Sequence, residues 1–338
     1  MAAKFIPRSV FPQNIAVPRS YFLGHHKAGL EKMKKMLSSI DYVVECRDFR
    51  APVTSVNPMF EEALGAKPRL IVYTKRDLGG GSDAQTRKNK RLMRQLDPNT
   101  AVFFSTSSPK DSAGPILRHL KSDAYGPDSL VGCRVMVVGM PNVGKSTLIN
   151  SLRNEGVHKA KAVRIGDQPG VTRKIGTPVK IVERENGSDV YVLDTPGVFV
   201  PYVPDAERML KLALCGCVKD SIIPPVTVAD YLLYHINLHD PTVYKKWSEP
   251  TNEITPLLDS FARQTGLLGK GGVPNMELAA TNFVQRWRAG SLGKFILDDI
   301  AAELRARAEQ REQTVGPSMT QILKQEKAAR LEKVAKKC

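Results

Sequence analysis

GMPNVGKST, at residues 139–147, is the stretch that decides the fold. It matches the pattern G-x-x-x-x-G-K-[ST] of a phosphate-binding loop. Residues 133–138 (CRVMVV) before it are apolar and β-branched, as in a buried strand, and residues 146–152 (STLINSL) after it predict the start of a helix. A strand, a glycine loop and a helix N-terminus direct several backbone N–H groups into one concavity, where they can hold phosphate oxygens. The flanking elements make a chance match improbable, so we expect a nucleotide-binding site here.

The side chains of this loop have distinct expected roles. Lys145 would reach the β- and γ-phosphates of a bound nucleotide, and the hydroxyl of Ser146 would bind Mg²⁺. The remaining residues expected to line the nucleotide are Asn142, Val143, Gly144 and Thr147.

Strand and helix patterns alternate along the first 200 residues, which predicts an α/β domain with a mainly parallel sheet. The other expected strands are residues 41–45, 69–73, 101–104, 175–183 and 190–193, and Asn186-Gly187 suggests a hairpin between the last two. Residues 46–52 are expected to form a charged loop. After about Pro204 only helical patterns remain, at residues 206–218, 228–236, 254–265 and 276–288. We therefore expect a smaller all-α domain, followed from residue 301 by a charged tail that is a solvated helix or disordered.

A second phosphate-site motif, LDTPG at residues 193–197, ends an apolar strand. In this D-x-x-G motif Asp194 would hold Mg²⁺ and the N–H of Gly197 would sense the γ-phosphate. Val198 follows where many GTPases carry the glutamine that orients the attacking water. Valine has no hydrogen-bonding group, so another group must position that water.

Two short motifs at strand ends predict selectivity for guanine. Thr74-Lys75-Arg76-Asp77 resembles N-K-x-D, in which the carboxylate, here Asp77, accepts from guanine N1–H and the exocyclic amine. The stem of Lys75 would pack over the base, and Thr74 stands where asparagine is usual. The second motif would supply a backbone N–H to guanine O6; it consists of Ser105, Thr106 and Ser107. Both motifs lie at the edge of the sheet where ligands bind in such folds.

The order of these motifs is inverted relative to an ordinary GTPase, because the guanine motifs precede the phosphate loop. The same sheet can form when a chain is cut and rejoined at surface loops. We therefore predict a circularly permuted GTPase domain over residues 21–204. In the usual numbering of GTPase motifs its order is G4-G5-G1-G2-G3, where G4 and G5 are the guanine motifs, G1 is the phosphate loop, G2 is the switch segment and G3 is D-x-x-G. A basic leader (1–20) would precede it, and a helical RNA-binding domain (205–300) and a charged tail (301–338) would follow. In this order the D-x-x-G segment leads directly into the helical domain, which nucleotide state could therefore move.

Several further motifs resemble those of the YlqF/RbgA-like family of permuted GTPases, and of its mitochondrial members in particular. The matching segments are YFLGH at 21–25, RDFRAP at 47–52 with Asn57-Pro58, DQPGVT at 167–172, and 283–295 with its Gly290, Leu292, Gly293 and Lys294. Tyr21, Leu23 and Thr74 depart from the family pattern, where Trp, Pro and Asn are usual.

The resemblance implies a role in late assembly of the large ribosomal subunit, with GTP hydrolysis releasing the factor. It implies that His25, with neighbouring His26 as the weaker alternative, orients the attacking water. It also implies that Asn142 holds a K⁺ ion beside the phosphates and that Thr172 completes the Mg²⁺ shell. Mg²⁺ and K⁺ are thus the expected cofactors, and GTP is the expected substrate.

Composition agrees with a polyanionic partner, since the formal net charge is +16 over 338 residues. Residues 1–30 contain no acidic side chain, which favours mitochondrial targeting although three prolines interrupt the segment. We expect a monomer in the mitochondrial matrix, with peripheral contact to the inner membrane as an option, bound to the large subunit through rRNA and not to DNA. Five cysteines show no zinc-ligand spacing.

Two other functions stay open at this point. One is a signalling GTPase with a protein partner and no RNA. The other is an RNA scaffold that binds nucleotide with little hydrolysis, which Val198 keeps open.

Overall fold

The computed structural model describes residues 5–12, 24–65, 67–107, 112–123, 132–160, 162–163, 176–183, 189–198, 203 and 205–315, with the side chains of residues 24–26 and 312–315 left out. The chain divides into two compact units, Met1–Asp298 and Asp299–Cys338. The second unit contributes one described helix, Ile300–Val315.

A six-stranded sheet forms the centre of the first unit, in the order β3-β2-β1-β4-β6-β5. Its strands are β1 (Tyr42–Asp48), β2 (Arg69–Thr74), β3 (Ala101–Phe104), β4 (Cys133–Gly139), β5 (Val179–Val182) and β6 (Val190–Asp194). All neighbours are parallel except β5 and β6, which are antiparallel. This confirms the predicted α/β class and the β5–β6 pairing; Asn186-Gly187 lies outside the described residues.

The predicted charged loop after β1 is wrong in its first half, because β1 continues through Asp48 and all seven of its residues are buried. Arg47, Asp48 and Arg50 are only 2, 0 and 1% exposed. Each of these charges is buried together with an opposite charge. Arg47 donates to Glu45 at 2.7 Å and to Asp97 at 2.6 Å, and Arg50 is paired with Asp48 at 2.8 Å. Such pairing is what makes burial of a charge tolerable.

Ten helices are described in the first unit. Their bounds are α1 (Gly24–Met36), α2 (Pro58–Leu64), α3 (Arg76–Gly79), α4 (Asp83–Leu96), α5 (Ala113–Asp123), α6 (Lys145–Val157), α7 (Ala206–Leu214), α8 (Pro225–His239), α9 (Ile254–Thr265) and α10 (Met276–Arg288). The helix of the second unit is α11 (Ile300–Val315). The predicted 206–218 helix ends early because Gly216 takes a left-handed φ of 78°.

Helices cover both faces of the sheet. On one face, α1 and α2 pack against β1, β4 and β6 through a cluster that includes Met33, Phe60 and Val138. On the other face α5 and α6 pack in a larger cluster, and that cluster continues without a break into α7–α10. Helices α7–α10 therefore share a hydrophobic core with the sheet. The boundaries of a separate helical domain stay a prediction.

The described part of the N-terminal segment, residues 5–12, lies against α8. Phe11 is buried, with its ring 5.0 Å from that of Tyr231 in an edge-on arrangement. Arg8 forms an ion pair with Asp230 at 2.7 Å, and its backbone N–H donates to Asn252 at 3.2 Å. Residues from the predicted leader thus contribute to the fold of the first unit.

Among the described residues, no helix is long and apolar enough to cross a membrane. Nor does that part of the chain contain a group of three or more His, Cys, Asp or Glu side chains that could hold a metal ion. The four described cysteines, Cys46, Cys133, Cys215 and Cys217, are buried free thiols.

Candidate nucleotide site

The phosphate loop follows β4, and its backbone takes conformations that only certain residues accept. Gly139 and Gly144 have φ of 150° and 93°, and Asn142 has φ of 55°. Asparagine is one of the few residues with a side chain that tolerates this left-handed region. A Cβ at Gly139 would lie 2.5 Å from the carbonyl oxygen of Cys46, so β1 and the loop are in direct contact there. The loop ends at Gly144, which caps α6.

Lys145 is the first residue of α6 and is only 6% exposed. Its ammonium donates to the carbonyls of Met140 at 2.8 Å and Gly139 at 3.2 Å, so its charge lies inside the phosphate loop. Burial lowers the pKa of Lys145, while the carboxylate of Asp194 acts in the opposite direction. A buried cation in this loop is placed to neutralise a polyphosphate.

The two predicted magnesium ligands with described side chains lie next to each other. The hydroxyl of Ser146 donates to Oδ2 of Asp194 at 2.9 Å. A hydroxyl and a carboxylate converging at the end of β6 are the hard oxygen ligands that Mg²⁺ takes together with phosphate oxygens. The donor set therefore fits Mg²⁺, which Ser146 and Asp194 would hold and which would supply positive charge against the phosphates.

At Gly197 the D-x-x-G segment contacts the backbone of the phosphate loop. A Cβ at Gly197 would lie 2.5 Å from Cα of Pro141, so no larger residue could let the two backbones approach so closely. The backbone N–H of Val198 faces the Gly139 carbonyl at 3.4 Å. The two phosphate-site motifs are therefore in direct contact, although some 50 residues separate them in the sequence.

The base-recognition loop (residues 74–77) is bound to the phosphate loop through two side chains. Thr74 donates its hydroxyl to the carbonyl of Val143, and Lys75 donates to the carbonyl of Asn142. Lys75 also pairs with Asp48 at 3.1 Å and has a left-handed φ of 56°. The threonine that replaces the usual asparagine thus makes a direct bond to the phosphate loop.

Asp77 joins the two guanine motifs. Its Oδ1 accepts from the backbone N–H of Ser107 at 2.7 Å, and its Oδ2 accepts from the Ser107 hydroxyl. Arg76 N–H donates to the Ser105 carbonyl at 3.0 Å. Thr106 lies between the two serines, with its N–H 3.4 Å from the hydroxyl of Ser112. Hydrogen bonds therefore join residues 74–77 and 105–107 at the ends of β2 and β3.

Sequence reasoning missed the supporting role of the RDFRAP segment, which it treated as a charged loop. Burial alone would raise the pKa of Asp48, but the charges of Arg50 and Lys75 hold it well below its usual range. Asp48 thereby orients Lys75 of the base-recognition loop. The guanidinium of Arg50 in turn lies 4.8 Å from the ring centre of Trp287 in α10. The alternating positive and negative charges of this segment are the feature of the sequence that could have indicated this supporting role.

Asn142 links the phosphate loop to the helices that follow. Its Nδ2 donates to the carbonyl of Gly216 at 2.8 Å, just after α7. Arg288 at the end of α10 supports the same segment, with bonds to the carbonyls of Ala213 at 2.7 Å and Leu214 at 2.9 Å and an ion pair to Asp220 at 2.8 Å. The phosphate loop therefore contacts the C-terminal end of α7 directly.

Val198 stands where glutamine would orient the attacking water, and helix α1 packs against it. Val198 is 1% exposed and belongs to the cluster that packs α1 on the sheet. A Cβ at Gly29 of α1 would lie 3.1 Å from Cγ of Pro196 and 3.8 Å from Cγ2 of Val198. His25 lies one helical turn before Gly29 in α1. Its side chain and that of His26 are outside the described residues, as is all of Thr172.

Comparisons with known proteins agree with this geometry. A family model described as "50S ribosome-binding GTPase" matches residues 134–260. The chain is 40% identical over 314 residues to mitochondrial GTPase 1 of Schizosaccharomyces pombe, with 88% of this chain and 94% of that protein covered. It is 36% identical over 317 residues to mitochondrial ribosome-associated GTPase 1 of Mus musculus, covering 86% and 93%. YlqF from T. maritima, solved with GNP bound, matches with a TM-score of 0.52 and 25% identity over 80% of this chain and 97% of that one.

Fold and site define a circularly permuted GTPase, in which the base-recognition strands β2 and β3 precede the phosphate loop on β4. Such a protein binds GTP and hydrolyses it to GDP and phosphate. By its identity to relatives over most of its length, the chain belongs to the mitochondrial GTPase 1 family.

Proposed function

We propose that this GTPase is an assembly factor of the mitochondrial large ribosomal subunit, which it binds through rRNA and leaves on GTP hydrolysis. The observation that carries the proposal is the bond from Asn142 to Gly216, which joins the phosphate loop to the helices after residue 205. Relatives named mitochondrial ribosome-associated GTPase 1 and the formal charge of +16 support a ribosomal, polyanionic partner.

A route for the coupling follows from chain order. The D-x-x-G segment contacts the phosphate loop at Gly197 and leads within ten residues to the start of α7. In other GTPases, segments that contact the γ-phosphate are ordered while GTP is bound and are released when it is hydrolysed. A change at Gly197 would therefore reach α7 both along the chain and through the Asn142–Gly216 bond.

The proposal assigns a role to each site residue. Ser146, Thr172 and Asp194 hold Mg²⁺, and Asn142 holds K⁺. Lys145, Thr172 and His25 serve the chemistry at the γ-phosphate. Guanine and the phosphates are bound by the residues of the base-recognition loop and its partner (Thr74, Lys75, Asp77, Ser105, Thr106, Ser107) and by the two phosphate motifs (Asn142, Val143, Gly144, Lys145, Ser146, Thr147, Gly197).

The proposal also places the protein in the mitochondrial matrix as a monomer. Residues 205–300 would carry rRNA contacts, and residues 1–20 would serve in targeting. The docking of residues 5–12 on α8 indicates that part of this leader has a second, structural role.

Purified mitochondrial large subunits should raise GTP turnover of the wild-type protein but not of His25→Ala. A group that positions the attacking water contributes on the order of 10²-fold or more to turnover, without contributing to GTP affinity. His26→Ala, its neighbour in α1, is the matched control and should respond like wild type. Turnover of the wild type that subunits do not change, together with no co-sedimentation, would contradict the proposed function. If only His26→Ala loses stimulation, the two histidines have been assigned the wrong way round.

Turnover with subunits present should be faster in K⁺ than in Na⁺ at equal ionic strength, and Asn142 should carry the difference. A monovalent cation held by its Oδ1 would stabilise charge that develops on the phosphates. Asn142→Gly keeps the left-handed backbone and removes the ligand, so its turnover should be equal in the two salts. Asn142→Asp keeps an oxygen but loses the donor to Gly216, and it should retain the K⁺ preference. A full K⁺ preference in Asn142→Gly would assign the cation to other ligands.

A further inference from the structure

Of the described α-helices in the first unit, α4 carries the most Lys and Arg side chains, and the nucleotide site does not use them. Five of its 14 residues are Lys or Arg, against one acidic residue, Asp83 in the first turn. We call the outer side of this helix the α4 basic face; it consists of Arg87, Lys88, Lys90, Arg91 and Arg94. All are exposed except Lys90, which is half-buried.

The α4 basic face and the buried arginines differ in the acidic partners that the described residues give them. Arg47 and Arg50 are paired within the sheet. Among the described residues, by contrast, no carboxylate forms an ion pair with any member of the α4 basic face. Members spaced three or four residues apart, such as Arg87, Arg91 and Arg94, lie on one side of the helix, about one per turn of roughly 5.4 Å. Unneutralised charge at this spacing suits a chain of phosphates.

Two members of the face are held in place by an aromatic ring. Lys90 and Arg94 each lie 5.3 Å from the ring centre of Phe104 at the end of β3. That ring stacks on Tyr73 at 5.8 Å. Burial lowers the pKa of Lys90, and the nearby charges of Arg76 and Arg94 lower it further. Positive charge is therefore concentrated here on a rigid support, which reduces the entropy lost on binding a polyanion.

The composition of the helix favours nucleic acid over a membrane or a protein. Of the large apolar residues of α4, Met93 and Leu96 are buried and Leu92 is half-buried, so no large hydrophobic side chain of the helix is exposed. A helix that lies in a membrane interface needs an apolar face to insert. The cores of protein interfaces are depleted in charged residues, whereas this face consists of five charged side chains. Double-stranded RNA, by contrast, is bound mainly through its backbone and shape.

We propose that the α4 basic face, extended by Arg76 of the base-recognition loop, binds the phosphate backbone of structured RNA. This inference rests on the proposed ribosomal function and adds a second RNA surface on the GTPase fold, apart from residues 205–300. Arg76 is adjacent to Asp77, and its N–H donates to Ser105. The RNA would therefore dock beside the residues that recognise guanine.

The test compares two triple variants of the full chain with the same loss of charge. The first, Arg87→Gln/Lys88→Gln/Arg91→Gln, leaves the Phe104 contacts intact. The control, Arg118→Gln/Lys121→Gln/Lys159→Gln, changes exposed residues of α5 and just after α6, on the other face of the sheet. Affinity is measured across a salt series for large subunits, for a protein-free transcript of the large-subunit rRNA, and for vesicles containing anionic lipid. GTP affinity and thermal stability are recorded for both variants.

The α4 variant should bind the transcript and the subunits on the order of tenfold more weakly, with a log–log salt slope about 2 to 3 units shallower, because each lost phosphate contact removes nearly one unit. The control should bind RNA like wild type. Equal loss in both variants, no loss in the α4 variant, or a loss confined to vesicles would overturn the inference. If wild-type protein binds the transcript but not the subunits, the proposed function is contradicted. The α4 inference is then decided by comparing how the two variants bind the transcript. Wild-type protein that binds neither would overturn both.

Discussion

Replacing Lys145 by alanine should weaken GTP binding by about 10²–10³-fold, because loss of one member of a buried charge pair typically costs 2–5 kcal/mol. The ammonium lies among the carbonyls of the phosphate loop, 2.8 Å from that of Met140. A bound triphosphate would be attracted to this ammonium at a buried position, where little water competes for the charge. Titration with a fluorescent GTP analogue measures the affinity directly.

Lys145→Met separates the charge from the packing of the side chain. Methionine keeps most of the buried stem and has no charge, so the nucleotide-free protein should unfold at nearly the wild-type temperature. In wild type, a ligand present at 1,000 times its dissociation constant stabilises the folded state by about 4 kcal/mol. Both Lys145 variants should lose most of this stabilisation. GTP affinity within threefold of wild type in Lys145→Met would exclude Lys145 as the phosphate ligand.

Local patterns were sufficient to predict the sheet and the closeness of the two phosphate motifs. The strands β2, β3, β4 and β6 are short apolar segments that end at a motif, and each was predicted to within a residue or two. Because each strand ends at a motif and the carboxyl ends of parallel strands meet at one edge of the sheet, Ser146 and Asp194 are adjacent. The predicted contacts of the phosphate site thus depend on patterns that a single sequence contains.

Contacts between distant segments could not be predicted in this way. Charged residues are rarely buried unless paired, so Arg47 and Asp48 were expected in a loop. Besides Glu45 on the same strand, Arg47 is paired with Asp97, which is 50 residues away. The bond from Asn142 to Gly216 spans 74 residues. No periodicity or motif in the sequence indicates either pairing, although both determine how the site is supported.

The basis of guanine selectivity shows why such contacts matter for function. Asp77 was predicted to bind guanine from the motif alone, but its carboxylate also holds Ser107 of the neighbouring loop. A carboxylate has about four acceptor positions, so it can accept from Ser107 and from a base at the same time. Asp77 would therefore recognise guanine and also fix the neighbouring loop through Ser107.

Asp77→Asn should exchange selectivity for guanine with selectivity for xanthine. Asparagine at this position can still accept from the Ser107 N–H with its oxygen, while its nitrogen can donate to the Ser107 hydroxyl. The loop should therefore stay in place. Towards the base, however, one acceptor has become a donor, which suits the 2-carbonyl of xanthine and opposes the 2-amino group of guanine. GTP loses a hydrogen bond to a charged group, about 1.5–3 kcal/mol, and XTP gains a neutral one, about 0.5–1.5 kcal/mol, so the ratio of GTP to XTP affinity should fall on the order of 10²-fold.

Ser107→Ala distinguishes base recognition from support of the loop. This variant removes the hydroxyl that donates to Asp77 and keeps both the carboxylate and the backbone N–H bond at 2.7 Å. It should weaken GTP modestly and leave XTP as poor a ligand as in wild type, because the groups that face the base are unchanged. Competition titrations of GTP and XTP against one labelled nucleotide give both ratios. If Asp77→Asn loses GTP affinity without gaining XTP affinity, and Ser107→Ala behaves in the same way, the carboxylate supports the loop and does not contact the base.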